Sequence, residues 1–176
     1  MGIYGLIISV VLGLLSTALS HDEALYSYRG SVLLLNDRAT YRGVCLREDG
    51  TEKSIKDNTV DLSVCEGVEI YGEYDHHRFR LRFIKRWEVF SFSSPGLDVL
   101  PAKDPFSLKV GKKLDYRVFL NSEPVGGAQV FVNGRPAGIT RSGGSIRLKL
   151  RKGKNEIVSV VEKDGVEYIA VLIFER

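Results

Sequence analysis

The chain of 176 residues is poor in several residue types, and each scarcity narrows what it can be. It holds one methionine, one glutamine (Gln129), one tryptophan (Trp87) and two cysteines. With Lys, Arg and Glu plentiful, this depletion of thermolabile side chains is the pattern of hyperthermophile proteins. Two cysteines leave no room for a cysteine-rich zinc module, and no second ligand stands at metal spacing from either one. There is no Asn-x-Ser/Thr sequon, no low-complexity tract and no Gly-x-Ser-x-Gly elbow. A phosphate-binding Walker loop, a paired metal motif and a Cys–His nucleophile arrangement are missing too. The Gly126-Gly127 and Gly143-Gly144 pairs are turn chemistry, since no helical pattern follows them to hold a phosphate. These absences argue against an enzyme and predict no cofactor and no metal.

Charge is absent from one place above all. Residues 2–20, GIYGLIISVVLGLLSTALS, carry no charged side chain. The apolar heart, Leu6 to Leu15, fits a signal peptide, with small residues Ala18 and Ser20 placed for cleavage before His21. The whole segment is also just long enough for a membrane-spanning helix. A core helix is the poorer reading, because it would show a polar face. Asp22 and Glu23 follow at once, and the orientation predicted is N-terminus in, C-terminus out. Both surviving readings export the remainder, as a secreted or membrane-anchored protein. N-terminal sequencing of the native protein separates them: a start at His21 marks a cleaved peptide, an intact Met1 an anchor.

About 155 residues remain, enough for one large or two small domains. The net charge of +3 is small. Residues 24–92 hold 11 Lys/Arg against 11 Asp/Glu, and residues 93–176 hold 14 against 9, a balance of +5. Neither half has the concentrated basic excess of a dedicated nucleic-acid binder. In an exported chain, Cys45 and Cys65 are read as a disulfide. Closing such a loop contributes about 3 kcal/mol, largely through the unfolded state.

Past the first twenty-odd residues no stretch keeps a 3.6-residue apolar period, and alternation with β-branched or aromatic runs dominates. The chain divides at Ser93-Ser94-Pro95-Gly96, a small-residue and Pro-Gly linker (93–96) between a first region, 24–92, and a second, 97–176. In the first, strands are predicted at Ser27–Leu35, Thr40–Arg47, Glu52–Ile55, Gly67–Tyr74 and Phe79–Phe90, with turns at Asn36-Asp37-Arg38, Asp49-Gly50 and Asp75-His76-His77. The stretch from Asp57 to Cys65 reads as irregular or as a strand beginning at Thr59. In the second, strands are predicted from Phe106 to Phe119 around a Gly-Lys-Lys turn. Others follow at Ala128–Val132, Pro136–Thr140, Ile146–Leu150, Glu156–Glu162 and Val166–Glu175. Asn133-Gly134 and Asp164-Gly165 are strong hairpin signals.

Five strands in about 65 residues, with Gly67, Val68, Ile70 and Gly72 opening the fourth, resemble an OB-fold, a small Greek-key barrel. The helix which that family carries between its third and fourth strands has little room here. Further on, Pro124, Val125, Gly127, Ala128, Val130, Val132 and Gly134, then Gly138, Thr140 and Gly144, resemble the carboxypeptidase regulatory-like and PEGA group of immunoglobulin-like sandwiches. That resemblance implies a non-catalytic adhesive or spacer module. The expected fold class is therefore all-β: an N-terminal signal or anchor helix (1–20), a small OB-like barrel (24–92), then an Ig-like β-sandwich (97–176).

Candidate binding residues follow from one strand. Arg78, Arg80 and Arg82 alternate with Phe79, Leu81 and Phe83, and Tyr71 and Trp87 could supply rings, as could Tyr41 and Tyr74. A basic face with stacking aromatics suits single-stranded nucleic acid or a glycan. The plainer reading is a half-buried strand whose arginines are solvated, and it is preferred. His76 and His77 read as solvated turn residues, since strand neighbours point to opposite faces. Lys149, Arg151, Lys152 and Lys154 form a basic turn open to an acidic partner or lipid headgroups, with solvation again the preferred reading. The last strand, YIAVLIFER, fills a core or, if exposed, invites strand addition and a filament. The leading expectation is a non-enzymatic cell-surface protein that binds a protein or envelope partner. Nucleic acid and oligomerisation are the lesser alternatives, and the membrane is a partner if residues 2–20 stay.

Overall fold

A computed structural model describes residues 25–87 and 95–176. The expected signal or anchor segment and residues 93–94 of the expected linker lie outside these. Strands run through the described chain as β1 (Tyr26–Arg29), β2 (Val32–Leu35), β3 (Thr40–Leu46), β4 (Glu52–Ile55), β5 (Thr59–Asp61), β6 (Gly67–Tyr74) and β7 (His77–Ile84). After residue 95 come β8 (Leu97–Pro101), β9 (Lys113–Leu120), β10 (Glu123–Pro124), β11 (Gln129–Val132), β12 (Arg135–Ile139), β13 (Ser145–Lys149), β14 (Lys154–Lys163) and β15 (Val166–Glu175). Helical structure among the described residues is limited to two 3-10 turns, Leu62–Val64 and Pro105–Ser107, each capped by an aspartate side chain, Asp61 and Asp104. No helix among them is long and apolar enough to cross a membrane.

The strands form three sheets. The largest has eight strands in the order β12-β11-β14-β15-β7-β6-β3-β4. A three-stranded sheet, β1-β2-β5, lies over one of its faces, and a sheet of β8, β9, β10 and β13 lies over the other. Two hydrophobic cores result, one on each side of the large sheet. Strand β15 serves both: Ile169, Val171 and Ile173 enter the first core, and Ala170, Leu172 and Phe174 enter the second. A strand covered on both faces has no polar alternation, which is why its sequence reads as an almost unbroken apolar run. Both cores mix the two halves of the sequence. The first joins Leu33, Val68 and Leu81 to Phe131 and Val158, and the second takes in Ile84.

The seam between the halves is β7 against β15, a parallel pair in register from His77↔Glu167 to Phe83↔Ile173. It corrects the expected barrel. A barrel closes when its last strand returns to its first, but the free side of β7 is taken by β15, and β1 and β2 leave to form their own small sheet. No closed barrel is seen among the described residues. Within the second region the strands pair antiparallel in two facing sheets, one of them extended through the parallel β15–β7 pair into the first region.

Other differences are local. The stretch expected as one strand from Ser27 is the β1–β2 hairpin, turning at Gly30, whose φ of 62° suits glycine. The strand expected from Phe106 is instead the 3-10 turn at Pro105. Strand β8, which went unpredicted, pairs with β9 from Leu97↔Leu120 to Pro101↔Tyr116. Strand β7 ends at Ile84, short of the expected Phe90. The bounds of β4, β6 and β15 are those predicted.

Two predicted features have clear physical roles. Cys45 and Cys65 are disulfide-bonded with their Cα atoms 5.5 Å apart, tying β3 to the turn before β6. The run from Pro124 to Gly144 builds the sandwich corner. Ala128 and Val130 are buried, Asn133 and Gly134 turn with positive φ, and the Thr140 hydroxyl donates to Val125 O while accepting from Ala128 N–H. At Gly144, φ is 74° and a Cβ would stand 2.6 Å from Val118 O.

Gly72 on β6 is equally constrained. The ring of its cross-strand partner Phe79 lies over it, so that a Cβ would sit 1.9 Å from the ring. We expect Gly72→Ala to lower unfolding free energy by about 1–3 kcal/mol through overpacking. Much of the loss should return in the Gly72→Ala/Phe79→Leu double variant, both read by urea denaturation.

Candidate binding cleft

The register of β3, β6, β7 and β15 fixes which side chains share the face that the β8–β9–β13 sheet only partly covers. Three rows cross it: Thr40, Glu73, Arg78 and Tyr168; then Arg42, Tyr71, Arg80 and Ala170; then Val44, Glu69, Arg82 and Leu172. The third row runs under β8. The first two open into a cleft of about 560 Å³, within the ordinary range of small-molecule sites. Its far rim is Pro95, Gly96, Leu97 and Asn121.

The floor is a buried ionic network. Asp98 on β8 accepts from Arg80 at 2.6 Å and from Arg82 at 3.0 Å, and Glu69 stands 3.6 Å from Arg82. Both arginines are 2% exposed. Arg80 also donates to Pro95 O at 2.7 Å, pinning the rim, while Gly96 N–H donates to Asn121 Oδ1 at 2.8 Å. The Tyr71 hydroxyl bonds Glu69, and the Tyr71 ring lies between guanidiniums, 4.6 Å from Arg80 and 5.7 Å from Arg42. Burial raises the Asp98 carboxyl above the usual aspartate range, against the pull of Arg82 and Arg80. At the mouth, Arg78 pairs with Glu73 at 3.2 Å, both partly exposed.

The five candidate residues thus separate. Tyr71, Arg78 and Arg80 line the cleft, Arg82 lies beneath Asp98, and Trp87 sits half-buried beyond β7, outside the cleft. The expected solvated arginine face is corrected at two of three positions. Arg80 and Arg82 point to the side where β8 arrives, and nothing in the alternation of β7 announces Asp98 across from them. Arg42, Tyr168 and Asn121 were not anticipated. The alternation of TYRGVCL does put Thr40 and Arg42 on one face, but Tyr168 needs the parallel pairing to reach them.

The histidines also separate. His76 is exposed. His77 is the first residue of β7, with its side chain 13% exposed and Nε2 3.2 Å from Glu167, while Nδ1 lies 3.2 Å from Tyr74 O. It is no solvated turn residue, because β15 begins its pairing there. In the basic turn Lys149, Arg151, Lys152 and Lys154 are all exposed, and Lys154 also lies 4.5 Å from the Tyr28 ring centroid. Among the described residues no group of three metal-capable side chains gathers.

No family model matches the chain, and no curated protein matches it. Solved structures that resemble it include the N-terminal four Ig domains of Dscam1 isoform 7.44. That match has 13% identity and a TM-score of 0.29, over 82% of this chain and 40% of that one. Isoform 4.44 matches at 13% identity and 0.31, over 78% and 37%. The chain spans about two fifths of their length. At such TM-scores no residue correspondence follows, and the cleft is read from its own geometry.

Two outcomes are expected. Asp98→Ala leaves two buried guanidiniums without their shared carboxylate and should cost about 3–5 kcal/mol in urea denaturation, largely recovered when Arg80 and Arg82 are both changed to Met. The hydrogen bond to Glu167 raises the His77 pKa above 6.5. Its stabilisation is therefore complete below the unfolded value and fades as pH rises through the folded one. Stability measured upward from about pH 6 should fall in the wild type, and His77→Gln should remove that part of the slope.

Proposed function

We propose that this is an exported, non-enzymatic binding protein of the cell surface that recognises an envelope partner through the cleft on β3, β6, β7 and β15. The observation that supports it is the cleft itself, where aromatic rings and polar groups converge on a floor locked by Asp98. Preorganised walls of this kind reduce the ordering cost of binding. The disulfide fits an oxidising, extracytoplasmic setting, in keeping with the export reading of residues 2–20. The region 24–92 supplies most of the cleft and acts as the recognition unit. The region after the 93–96 linker, with its carboxypeptidase regulatory-like and immunoglobulin-like pattern, braces it and supplies the rim.

The competing readings find less support. A single-stranded nucleic acid needs a track of available cations, and Arg80 and Arg82 are committed to Asp98. A filament built by adding a strand to β15 meets a strand already flanked by β14 and β7. The edge strands of the large sheet are β12 and β4. The first carries Arg135, Pro136 and Gly138 and the second Glu52 and Lys53, all of which discourage edge pairing.

The test is retention on isolated envelopes of the producing cells, using the protein in its native mature form. Thr40 is exposed at the cleft wall, and Thr40→Trp fills the opening. Wild type should stay on the envelopes and the variant should wash off. Equal retention of both would sink the cleft as the recognition surface.

A further inference from the structure

We infer that the cleft takes a carboxylate-bearing saccharide, one acidic sugar unit with its neighbours, and this rests on the cleft being the recognition surface. Three observations carry it.

The first is the state of the cations. Arg80 and Arg82 share Asp98, and Arg78 is held by Glu73. Arg42 is exposed on the cleft wall, its guanidinium over the Tyr71 ring, and forms no ion pair among the described residues. The contact with the ring, 5.7 Å to its centroid, leaves the guanidinium donors available. A planar fork with a single uncommitted charge matches one carboxylate in bidentate fashion. It does not match a phosphate chain, whose binding grows with the number of cations offered.

The second is what surrounds that cation. The Thr40 hydroxyl, the Glu73 carboxylate and the Asn121 amide stand around the same opening. Since Asn121 Oδ1 accepts from Gly96 N–H, its NH2 end is the one left to donate. Together they offer a hydroxyl, an acceptor and a donor within one site, the mixed set that adjacent sugar hydroxyls require. Tyr168 adds a ring with an apolar face and a polar tip, which suits a ligand with both C–H and hydroxyl surfaces.

The third is shape. About 560 Å³ in a half-open cleft admits a short piece of a longer chain without enclosing its ends. A neutral saccharide would leave Arg42 idle, and a nucleic acid would leave Glu73 facing phosphates.

Isothermal titration with three probes decides the matter: tetragalacturonate, cellotetraose and the oligonucleotide dT10. Tetragalacturonate should bind, and cellotetraose should bind about tenfold or more weakly, the scale of one charge-assisted bidentate contact. Arg42→Gln, an exposed change checked by its unfolding temperature, should bring tetragalacturonate down to the neutral level. Thr40→Trp should abolish binding of both sugars. Arg151→Gln with Lys152→Gln, on the basic turn outside the cleft, should change nothing.

Equal binding of the two tetrasaccharides, or full acidic-sugar binding by Arg42→Gln, overturns the carboxylate assignment while leaving the cleft as recognition surface. Tighter binding of dT10 than of tetragalacturonate overturns the saccharide assignment. Unaltered tetragalacturonate binding by Thr40→Trp, or its loss in the Arg151/Lys152 variant, moves the site elsewhere and overturns both readings.

Discussion

The parallel pairing of β7 with β15 is the constraint on which the rest depends. It joins strands about ninety positions apart into one sheet, and so gives each face of that sheet contributors from both ends of the chain. Without it β7 would be an edge, β15 would lose a neighbour, and the face carrying Arg78, Arg80 and Tyr168 would not exist as one surface. Parallel pairing also needs a long crossover, and here the whole sequence of residues 85–165 provides it. The sandwich corner, the β8–β9 pair and the Asn133-Gly134 hairpin all lie within that connection. Such non-local closure is entropically slow to form, which makes the disulfide between Cys45 and the β6 approach useful as a local restraint on the first half.

The ionic floor follows from the seam. Once β7 sits beside β15, Arg80 and Arg82 face the side on which β8 packs. Two guanidiniums brought there without an anion would be prohibitive, and Asp98 supplies it on the arriving strand. A buried charge cluster contributes little net stability compared with an apolar filling. What it does favour is one arrangement over others: a shifted β8 would put Leu97 or Val99 opposite the arginines. Because Arg80 also holds Pro95 O, the same network sets the height of the cleft's rim. The floor is thereby rigid while its wall, with Arg42, Glu73 and Thr40, stays accessible.

How far this was legible in the sequence depends on the range of the interaction. Turn chemistry at Asp49-Gly50, Asn133-Gly134 and Asp164-Gly165 marked hairpins correctly because the signal and its effect lie within a few residues. The bounds of β6 and β15 followed from their apolar and aromatic content together with the adjoining turns at Asp75-His76-His77 and Asp164-Gly165. Gly30 was passed over because one glycine inside a strand-like run gives little warning of a hairpin. Barrel closure failed because nothing local in β7 states whether its partner is β1 or a strand near the C-terminus. The arginines show the same limit: HRFRLRF reports that Arg78, Arg80 and Arg82 share a face, but Asp98 decides which of them meets solvent. Arg78, read from the alternation, and Tyr71, read as a possible ring, both line the cleft, whereas Arg42 and Asn121 join it only in the assembled fold.

The position of the cleft has a physical reason of its own. The outer sheet of β8, β9, β10 and β13 is narrower than the eight-stranded sheet it covers, so its edge must end somewhere over that face. Where it covers β14 and β15, the face is apolar, with Ile157, Ala170 and Leu172 in the core. Where it ends, over β7 and β6, apolar residues would leave an exposed greasy step, a liability for a protein in solution. The sequence instead grades from Leu172 through Arg82 and Glu69 to Tyr71, Arg42 and Thr40, from dry through ionic to open. A groove at the edge of a covering sheet is thus unavoidable here, but its lining is not. Tyrosines, a guanidinium clear of carboxylates and a fixed amide are more than solubility demands. Charged side chains of either sign would have met that need, and it is this surplus of ring and directional donors that argues for a ligand.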